Sequence, residues 1–173
     1  MKQIPDHLAE GLDLLFIGFN PSLRSAETGH HYANPNNRFW KIIYEAGITD
    51  RQYRPEEDAK LLKHGIGFTN IVARPTKTAA EIKKEEYRHG AKRLKTIITR
   101  YKPKAACFVG KGVYEQYIGK KGGIPWGKQE TSVVPGVIDF VAPSSSGLVR
   151  MPLSEIVSIY AELKQLIRSV RQR

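Results

Sequence analysis

Residues 14 to 22 read "LLFIGFNPS", and this segment joins an apolar run to a turn. The run from Leu14 to Ile17 predicts a buried strand. Gly18 and Pro21 predict a tight turn that holds the carboxamide of Asn20 at the end of that strand. An asparagine is a poor acid and a poor base, so in a site it would do little more than position a water. The alternative is a turn in which Asn20 caps its own backbone.

Three further apolar runs bounded by turn residues predict strands: "GFTNIV" at 67–72, "AACFVG" at 105–110 and "VIDFVA" at 137–142. Helical patterns lie between and after them, at 38–46, 55–64, 78–101, 112–118 and 152–169. Strands that alternate with helices predict an α/β sandwich with a mostly parallel central sheet. At 173 residues the chain is expected to form one domain, 1–173.

The loops that follow the predicted strands are rich in glycine, proline and small polar residues. They read "GFNPS", "ARPTK", "GKGVY" and "APSSSGLVR". Ligands of parallel α/β sheets bind beyond the carboxyl ends of the strands. A functional site is therefore predicted where these four loops meet.

The charge is strongly basic, with 28 Lys and Arg against 17 Asp and Glu and a formal net charge of +11. A polyanion is the first partner to consider, and the alternative is an ordinary basic surface. The single cysteine, Cys107, lies in an apolar run and excludes a disulfide framework or a cysteine-ligated cluster. With no export signal and no membrane-spanning run, the chain is expected to be soluble and cytoplasmic.

The segment "ETGHHYANPNNRFW" at 27–40 has the composition of a ligand-lining loop. Tyr32 could offer a flat face to a planar ligand, whereas His30 and His31 could equally be solvated. No second cluster of His, Cys or Asp stands at ligand spacing, so neither a metal nor another cofactor is expected.

The loop "PSSSGLVR" at 143–150 follows the last predicted strand. Its serine hydroxyls and backbone donors suit phosphate contacts, and Leu148 beside Arg150 could push between base pairs. Two alternatives stay open: Leu148 could be tucked into the core, or a serine could be a nucleophile, for which the usual strand-turn-helix motif is lacking.

Taken together, "GFNPS", "TGHHYANPNNRFWK", "ARPT", "YEQY", "WGKQ" and the late "PSSSGL" with Arg150 resemble the mismatch-specific uracil/thymine-DNA glycosylases. These form the double-strand-acting branch of the uracil-DNA glycosylase superfamily, and the likeness spans residues 12 to 165. The resemblance implies a three-layer α/β/α sandwich. It also implies a monofunctional DNA glycosylase that acts on double-stranded DNA as a monomer, without a cofactor or a membrane. Its substrates would be uracil, and by extension thymine or exocyclic cytosine adducts, mispaired with guanine, and cleavage would initiate base excision repair.

The resemblance also assigns roles to individual residues. Asn20 matches the asparagine that positions the hydrolytic water, and Tyr32 matches the aromatic residue that stacks on the flipped base. The backbone amides of Phe19 and Tyr32, next to Gly18, match the groups that bind the pyrimidine oxygens, and Ser25 matches a small polar pocket residue. The matched DNA-binding residues are Ser144, Ser145 and Ser146 on a phosphate, and Gly147, Leu148, Val149 and Arg150 in the wedge that enters the duplex.

The motifs depart from the bacterial pattern at two places. "GFNPS" stands where that pattern has glycine-isoleucine-asparagine-proline-glycine, and "PSSSG" stands where it has "PNPSG". The triple serine is similar to the thymine-glycosylase form, which leaves the ranking of uracil, thymine and cytosine adducts open. Two other functions remain alternatives: a non-catalytic domain that binds duplex nucleic acid, and a serine-dependent α/β hydrolase. Candidate phosphate contacts outside the motifs are Lys111, Lys120, Lys121 and Lys128.

Overall fold

A five-stranded sheet forms the centre of the computed structural model, which describes residues 3–171. The strands are β1 (Leu14–Gly18), β2 (Ile66–Asn70), β3 (Ala105–Val109), β4 (Gly127–Lys128) and β5 (Ile138–Ala142). Their order across the sheet is β2-β1-β3-β5-β4. The four strands β1, β2, β3 and β5 are parallel to one another. The two-residue strand β4 lies at the edge of the sheet and pairs antiparallel with β5.

Helices connect the parallel strands and cover both faces of the sheet. They are α1 (Leu23–Thr28), α2 (Phe39–Glu45), α3 (Lys84–Tyr101), α4 (Lys111–Ile118) and α5 (Leu153–Arg171). Two 3-10 segments, Pro55–His64 and Ala79–Glu81, complete the connections around β2. No helix among residues 3–171 combines the length and the apolar character that a membrane span requires.

Alternate residues of β1 enter two separate hydrophobic clusters. Leu14 and Phe16 pack with the apolar residues of α2 and α5. Leu15 and Ile17 pack with those of α3 and α4. Every residue of β1 is buried, as expected for a strand covered by helices on both faces. The structure therefore confirms the three-layer α/β/α sandwich with a mostly parallel sheet.

Element boundaries differ from the sequence-based predictions in the connections. The helix predicted from residue 78 begins at Lys84, because Thr78 and Glu81 form a capping box around a separate 3-10 turn. The segment Pro55–His64 is a 3-10 helix, and the short helix α1 was not predicted. The strand predicted to reach Val72 ends at Asn70, although Val72 N–H still donates to the Phe19 carbonyl at 2.9 Å.

Candidate active site

A cleft of about 800 Å³ opens at the carboxyl ends of β1, β2, β3 and β5. Three of the four predicted loops contribute to it, and so does the loop at 27–40. The fourth, "GKGVY" at 110–114, does not line the cleft, and only Val109 at the end of β3 reaches it from that side. The motif residues that line it are Gly18, Phe19, Asn20, Ser25, Tyr32, Ser144, Ser145, Ser146, Gly147 and Leu148. No aspartate or glutamate is among its described lining residues. The structure thus brings together most of the residues that the sequence singled out; Val149 and Arg150 follow just outside the lining.

Asn20 is held through one end of its carboxamide. Its Nδ2 donates to the Arg74 carbonyl oxygen at 2.8 Å and to Thr76 Oγ1 at 2.8 Å. A carbonyl oxygen can only accept a hydrogen bond, so the Asn20 atom that faces the Arg74 carbonyl is the nitrogen Nδ2 and not Oδ1. The Asn20 side chain therefore has both donors engaged, and its Oδ1 accepts no hydrogen bond from any residue between 3 and 171.

The loop that holds Asn20 is itself fixed. Thr76 Oγ1 donates to the Thr78 carbonyl at 2.8 Å, so this hydroxyl can accept from Asn20. The Arg74 side chain forms a two-point ion pair with Glu86 at 2.7 and 3.0 Å. The Arg74 guanidinium holds the pKa of the Glu86 carboxyl well below its usual range. These contacts tie the "ARPT" segment to the start of α3.

The floor of the cleft is formed where Gly18, Tyr32 and Asn70 meet. A Cβ on Gly18 would lie 2.7 Å from Asn70 Oδ1 and 3.1 Å from the Tyr32 hydroxyl oxygen, so a larger residue there would displace one of these side chains. Tyr32 has a left-handed φ of 53°, and its ring stacks on Phe39 with a centroid separation of 3.9 Å. Its buried hydroxyl has no hydrogen-bond partner among the described residues, and burial raises its pKa.

Two backbone amides beside the cleft are available to a ligand. Within residues 3–171, neither the Phe19 N–H nor the Tyr32 N–H donates a hydrogen bond. The Phe19 carbonyl is held by Val72, and the Phe19 ring packs against Gly112, where an added Cβ would come within 2.6 Å of it. Both residues are half-buried, so these two donors can be satisfied by a ligand or by water in the cleft.

Ser25 is buried and supports the neighbouring loop. Its Oγ accepts from the Ala33 N–H at 3.0 Å and lies 3.1 Å from the Ser22 hydroxyl. These bonds hold the loop segment that contains Tyr32 and Ala33 against the N-terminal end of α1. Burial and the adjacent His7 ring hold the pKa of His31 well below its usual range, so this lining residue is a neutral imidazole.

The serine loop after β5 is docked on the loop at 27–40. The Ser145 carbonyl accepts from the Arg38 N–H at 2.9 Å, and a Cβ on Gly147 would lie 2.5 Å from the Asn36 carbonyl oxygen. Leu148 at the tip is 92% exposed, so the alternative that it is a core residue is wrong. Val149 packs on the core behind it, and Arg150 is exposed.

The serines lack the surroundings of a nucleophile. Ser145 is buried, Ser144 Oγ accepts from the Ser146 N–H, and Ser146 Oγ accepts from the Leu148 N–H. In the part of the chain that the structure describes, none of the three hydroxyls is hydrogen-bonded to a histidine. The arrangement suits a loop that presents polar groups, and it does not support serine catalysis.

Sequence reasoning gave no individual role to several residues of the cleft, among them Asn70, Thr76 and Lys77. Thr76 lies 56 residues from Asn20 in the chain, and only the parallel pairing of β1 and β2 brings the two loops together. The strand-end position of "ARPTK" predicted that this loop lies at the site, but it did not single out Thr76 or Lys77 within the loop. The candidate phosphate contacts Lys111, Lys120, Lys121 and Lys128 do not line the cleft, and Lys111 Nζ lies 4.2 Å above the Trp126 ring.

A larger open groove of about 1530 Å³ lies at the opposite end of the sheet, between α2, α5 and the Pro55–His64 segment. Its lining mixes acidic and basic side chains and contains none of the motif residues. Because the strand-end loops converge in the smaller cleft, that cleft is the candidate site.

Comparison with known proteins gives the family of the chain and a solved structure with a similar fold. The family model described as the Uracil DNA glycosylase superfamily matches residues 5–166. The chain belongs to the uracil DNA glycosylase superfamily. Membership in this superfamily implies DNA glycosylase activity. The fold of this chain is similar to that of a protein from Methanosarcina acetivorans, whose solution NMR structure is described as that of a candidate uracil DNA glycosylase. The TM-score is 0.56 and the sequence identity is 22%. That match covers 94% of this chain and 98% of the other.

Proposed function

We propose that this chain is a monofunctional DNA glycosylase that hydrolyses the N-glycosidic bond of uracil in double-stranded DNA, with uracil opposite guanine as its main substrate. Thymine and exocyclic cytosine adducts opposite guanine are further candidate substrates. The proposal includes initiation of base excision repair, action as a monomer in the cytoplasm, and no need for a cofactor in the reaction.

The observation that carries the proposal is the fixed carboxamide of Asn20 in a cleft whose described lining residues include no carboxylate. Its Nδ2 is engaged by Arg74 and Thr76, so Oδ1 is left to accept a hydrogen bond from a water. A water held in this way is oriented without being deprotonated in advance. This arrangement suits a reaction in which departure of the base runs ahead of attack by water.

Cleavage of the bond between C1′ and N1 gives the sugar oxocarbenium character and leaves the pyrimidine with the bonding electron pair. Water then adds its oxygen to C1′ and loses a proton, and the pyrimidine is released after protonation. The negative charge that develops on the base spreads onto its oxygens. Donors fixed in advance at those oxygens lower the barrier, because they need no reorganisation when the charge appears.

The free amides of Phe19 and Tyr32 are the donors we assign to those oxygens. The face of the Tyr32 ring opposite Phe39 is the face offered to the extruded base. Asn70 is 9% exposed at the end of β2 and adds a second carboxamide, which can donate and accept along a pyrimidine edge. Ser25 supports this pocket through Ala33.

The loop from Ser144 to Arg150 is the part we assign to the duplex. Leu148 is fully presented at the rim of the cleft, where it can fill the space that an extruded nucleotide leaves in the stack. Its backbone neighbours Gly147 and Val149 would meet the unpaired guanine, and Ser144 to Ser146 would meet the adjacent phosphate. Extrusion costs least at a mismatch, which favours uracil opposite guanine over uracil opposite adenine.

A panel of defined substrates tests the proposal. Release of the base is measured from duplexes with uracil opposite guanine, uracil opposite adenine and thymine opposite guanine, and from single-stranded uracil DNA. We expect uracil to be released fastest from the duplex in which it lies opposite guanine. Binding to every duplex without release of any base would instead support the non-catalytic nucleic-acid-binding alternative.

A further inference from the structure

Behind the cleft loop lies a buried cluster formed by His7, His31 and Asp58. One nitrogen or oxygen atom from each residue lies within 4.8 Å of those of the other two. The residues are 8%, 2% and 1% exposed, respectively. They come from three separate segments, namely the chain before β1, the loop at 27–40 and the 3-10 segment Pro55–His64. None of these side chains is assigned a part in the proposed reaction.

The Asp58 carboxylate lacks a permanent cation among the described residues. Its one ion-pair partner is the His30 ring, with 3.1 Å between His30 Nδ1 and Asp58 Oδ1, and a histidine is charged only when protonated. Asp58 Oδ2 accepts from the His31 N–H at 2.8 Å. Buried charges in proteins are paired with an opposite charge or coordinate a metal, because removal from water is costly. Among residues 3–171, Asp58 therefore has no lysine or arginine partner, and a bound cation would supply a permanent positive charge beside it.

The two histidines present nitrogen atoms suited to supply the other ligands. His31 Nε2 is 2.8 Å from the Pro5 carbonyl oxygen, which can only accept, so Nε2 carries the proton and Nδ1 has the free lone pair. A histidine that ligates a metal usually donates its other nitrogen in this way. His7 Nδ1 is buried and has no hydrogen-bond partner within the described residues. The two rings meet edge to face at a centroid distance of 4.8 Å.

The geometry points to a binding site for a divalent transition metal ion of the zinc class, ligated by His7, His31 and Asp58. Two imidazoles and one carboxylate form a ligand set that zinc accepts, with bonds of about 2.0 to 2.2 Å. Four-coordinate bonds of that length place neighbouring ligand atoms roughly 3.4 Å apart. Binding would therefore draw the three side chains together by about an ångström or more, and a water or His30 would complete the shell.

Such an ion would connect the chain before β1, the 3-10 segment and the loop that carries Tyr32. His31 immediately precedes Tyr32, so the metal would fix the backbone from which one of the free cleft amides comes. Its role is structural, and it lies outside the steps of base release.

Zinc titration of the chelator-treated protein tests this site. Calorimetry should show one Zn²⁺ bound per chain, and Zn²⁺ should raise the melting temperature of the parent protein. Co²⁺ bound at this site in place of Zn²⁺ should show the visible absorption that is typical of a four-coordinate cobalt ion. The variants His7→Gln and Asp58→Asn should each weaken Zn²⁺ binding by a factor of about 10² or more, since even loss of a supporting partner costs 10- to 100-fold.

The matched control is His89→Gln, which removes an exposed histidine on α3 and should bind Zn²⁺ like the parent. X-ray absorption of the zinc-loaded parent should count two imidazole ligands, and this measurement decides the question even if His7→Gln fails to fold. Equal binding by all the variants would overturn the site in favour of surface histidines. Absence of saturable binding would overturn it in favour of a buried polar cluster hydrated by water.

Discussion

Asn20 shows how a weak functional group can become useful when only one of its ends is held. The Arg74 carbonyl and Thr76 Oγ1 both engage its Nδ2, which fixes the direction in which Oδ1 points. A side chain oriented by two partners keeps its geometry more firmly than one oriented by a single bond. The activity should therefore depend on Thr76, a residue assigned no contact with the substrate.

Replacement of Thr76 by valine tests this dependence. Valine keeps the branched shape but removes the hydroxyl, so Asn20 Nδ2 retains only the Arg74 carbonyl. We expect kcat for uracil release to fall about tenfold, which corresponds to roughly 1.4 kcal/mol and to the loss of one hydrogen bond. Duplex affinity should change little, and the melting temperature should fall modestly, because valine also removes the bond from Thr76 Oγ1 to the Thr78 carbonyl. Single-turnover release and thermal melting are the measurements.

The control for this variant is Thr96→Val, which removes an exposed hydroxyl that bonds within α3. It should release uracil at the parent rate. A Thr76→Val protein as active as Thr96→Val would show that the hydroxyl does not position Asn20.

Asp139 carries a second prediction at the residue scale, this time for stability. It is 1% exposed on β5, and burial raises its pKa, while the Tyr114 hydroxyl at 2.9 Å and the Val133 N–H oppose the shift. The folded protein therefore holds this proton more tightly than the unfolded chain does. The free energy of unfolding should fall as the pH rises from about 4, the value for an unfolded aspartate, through the raised pKa.

The variant Asp139→Asn keeps an oxygen that can accept from Tyr114 and removes the buried charge. We expect it to melt at a higher temperature than the parent at pH 7, with the difference shrinking towards pH 4. Thermal melting across that pH range measures both effects. A variant that melts lower at every pH would mean that the ionised carboxylate stabilises the fold.

At the scale of the elements, the ends of the parallel strands determine where the cleft forms. β1, β3 and β5 were predicted nearly to the residue because each is a local apolar run between turn residues. The helix α1, "LRSAET", was missed because it has no apolar periodicity and depends on the Ser22 cap. The contacts of Asn20 with Thr76 and of His7 with His31 were also not predictable, since they arise from pairing between segments distant in sequence.

The serine loop after β5 carries the prediction at this scale. If Leu148 fills the gap left by the extruded nucleotide, Leu148→Ala should lower uracil release from paired duplex more than from single strands, where no stack is opened. Its melting temperature should match the parent, because the side chain is 92% exposed. Release from duplex and single-stranded substrates is compared. An equal loss on both kinds of substrate would contradict the wedge assignment.

For the whole molecule, the excess of basic residues predicts how DNA binding depends on salt. A net charge of +11 implies several contacts with phosphates, each of which releases a counterion. Affinity for any duplex should therefore fall steeply as salt rises, with a linear relation between the logarithms of affinity and salt concentration. Fluorescence anisotropy at a series of salt concentrations measures the slope. A flat response would favour an ordinary basic surface.

The central claim is that Asn20 positions the water that completes hydrolysis of the glycosidic bond, and the most direct test is Asn20→Ala on a duplex with uracil opposite guanine. Single-turnover release should fall by a factor of about 10² or more, as for other positioned catalytic groups. Duplex affinity and the melting temperature should stay at the parent values, since Asn20 is partly exposed and only its side chain changes. Release at the parent rate would contradict the account.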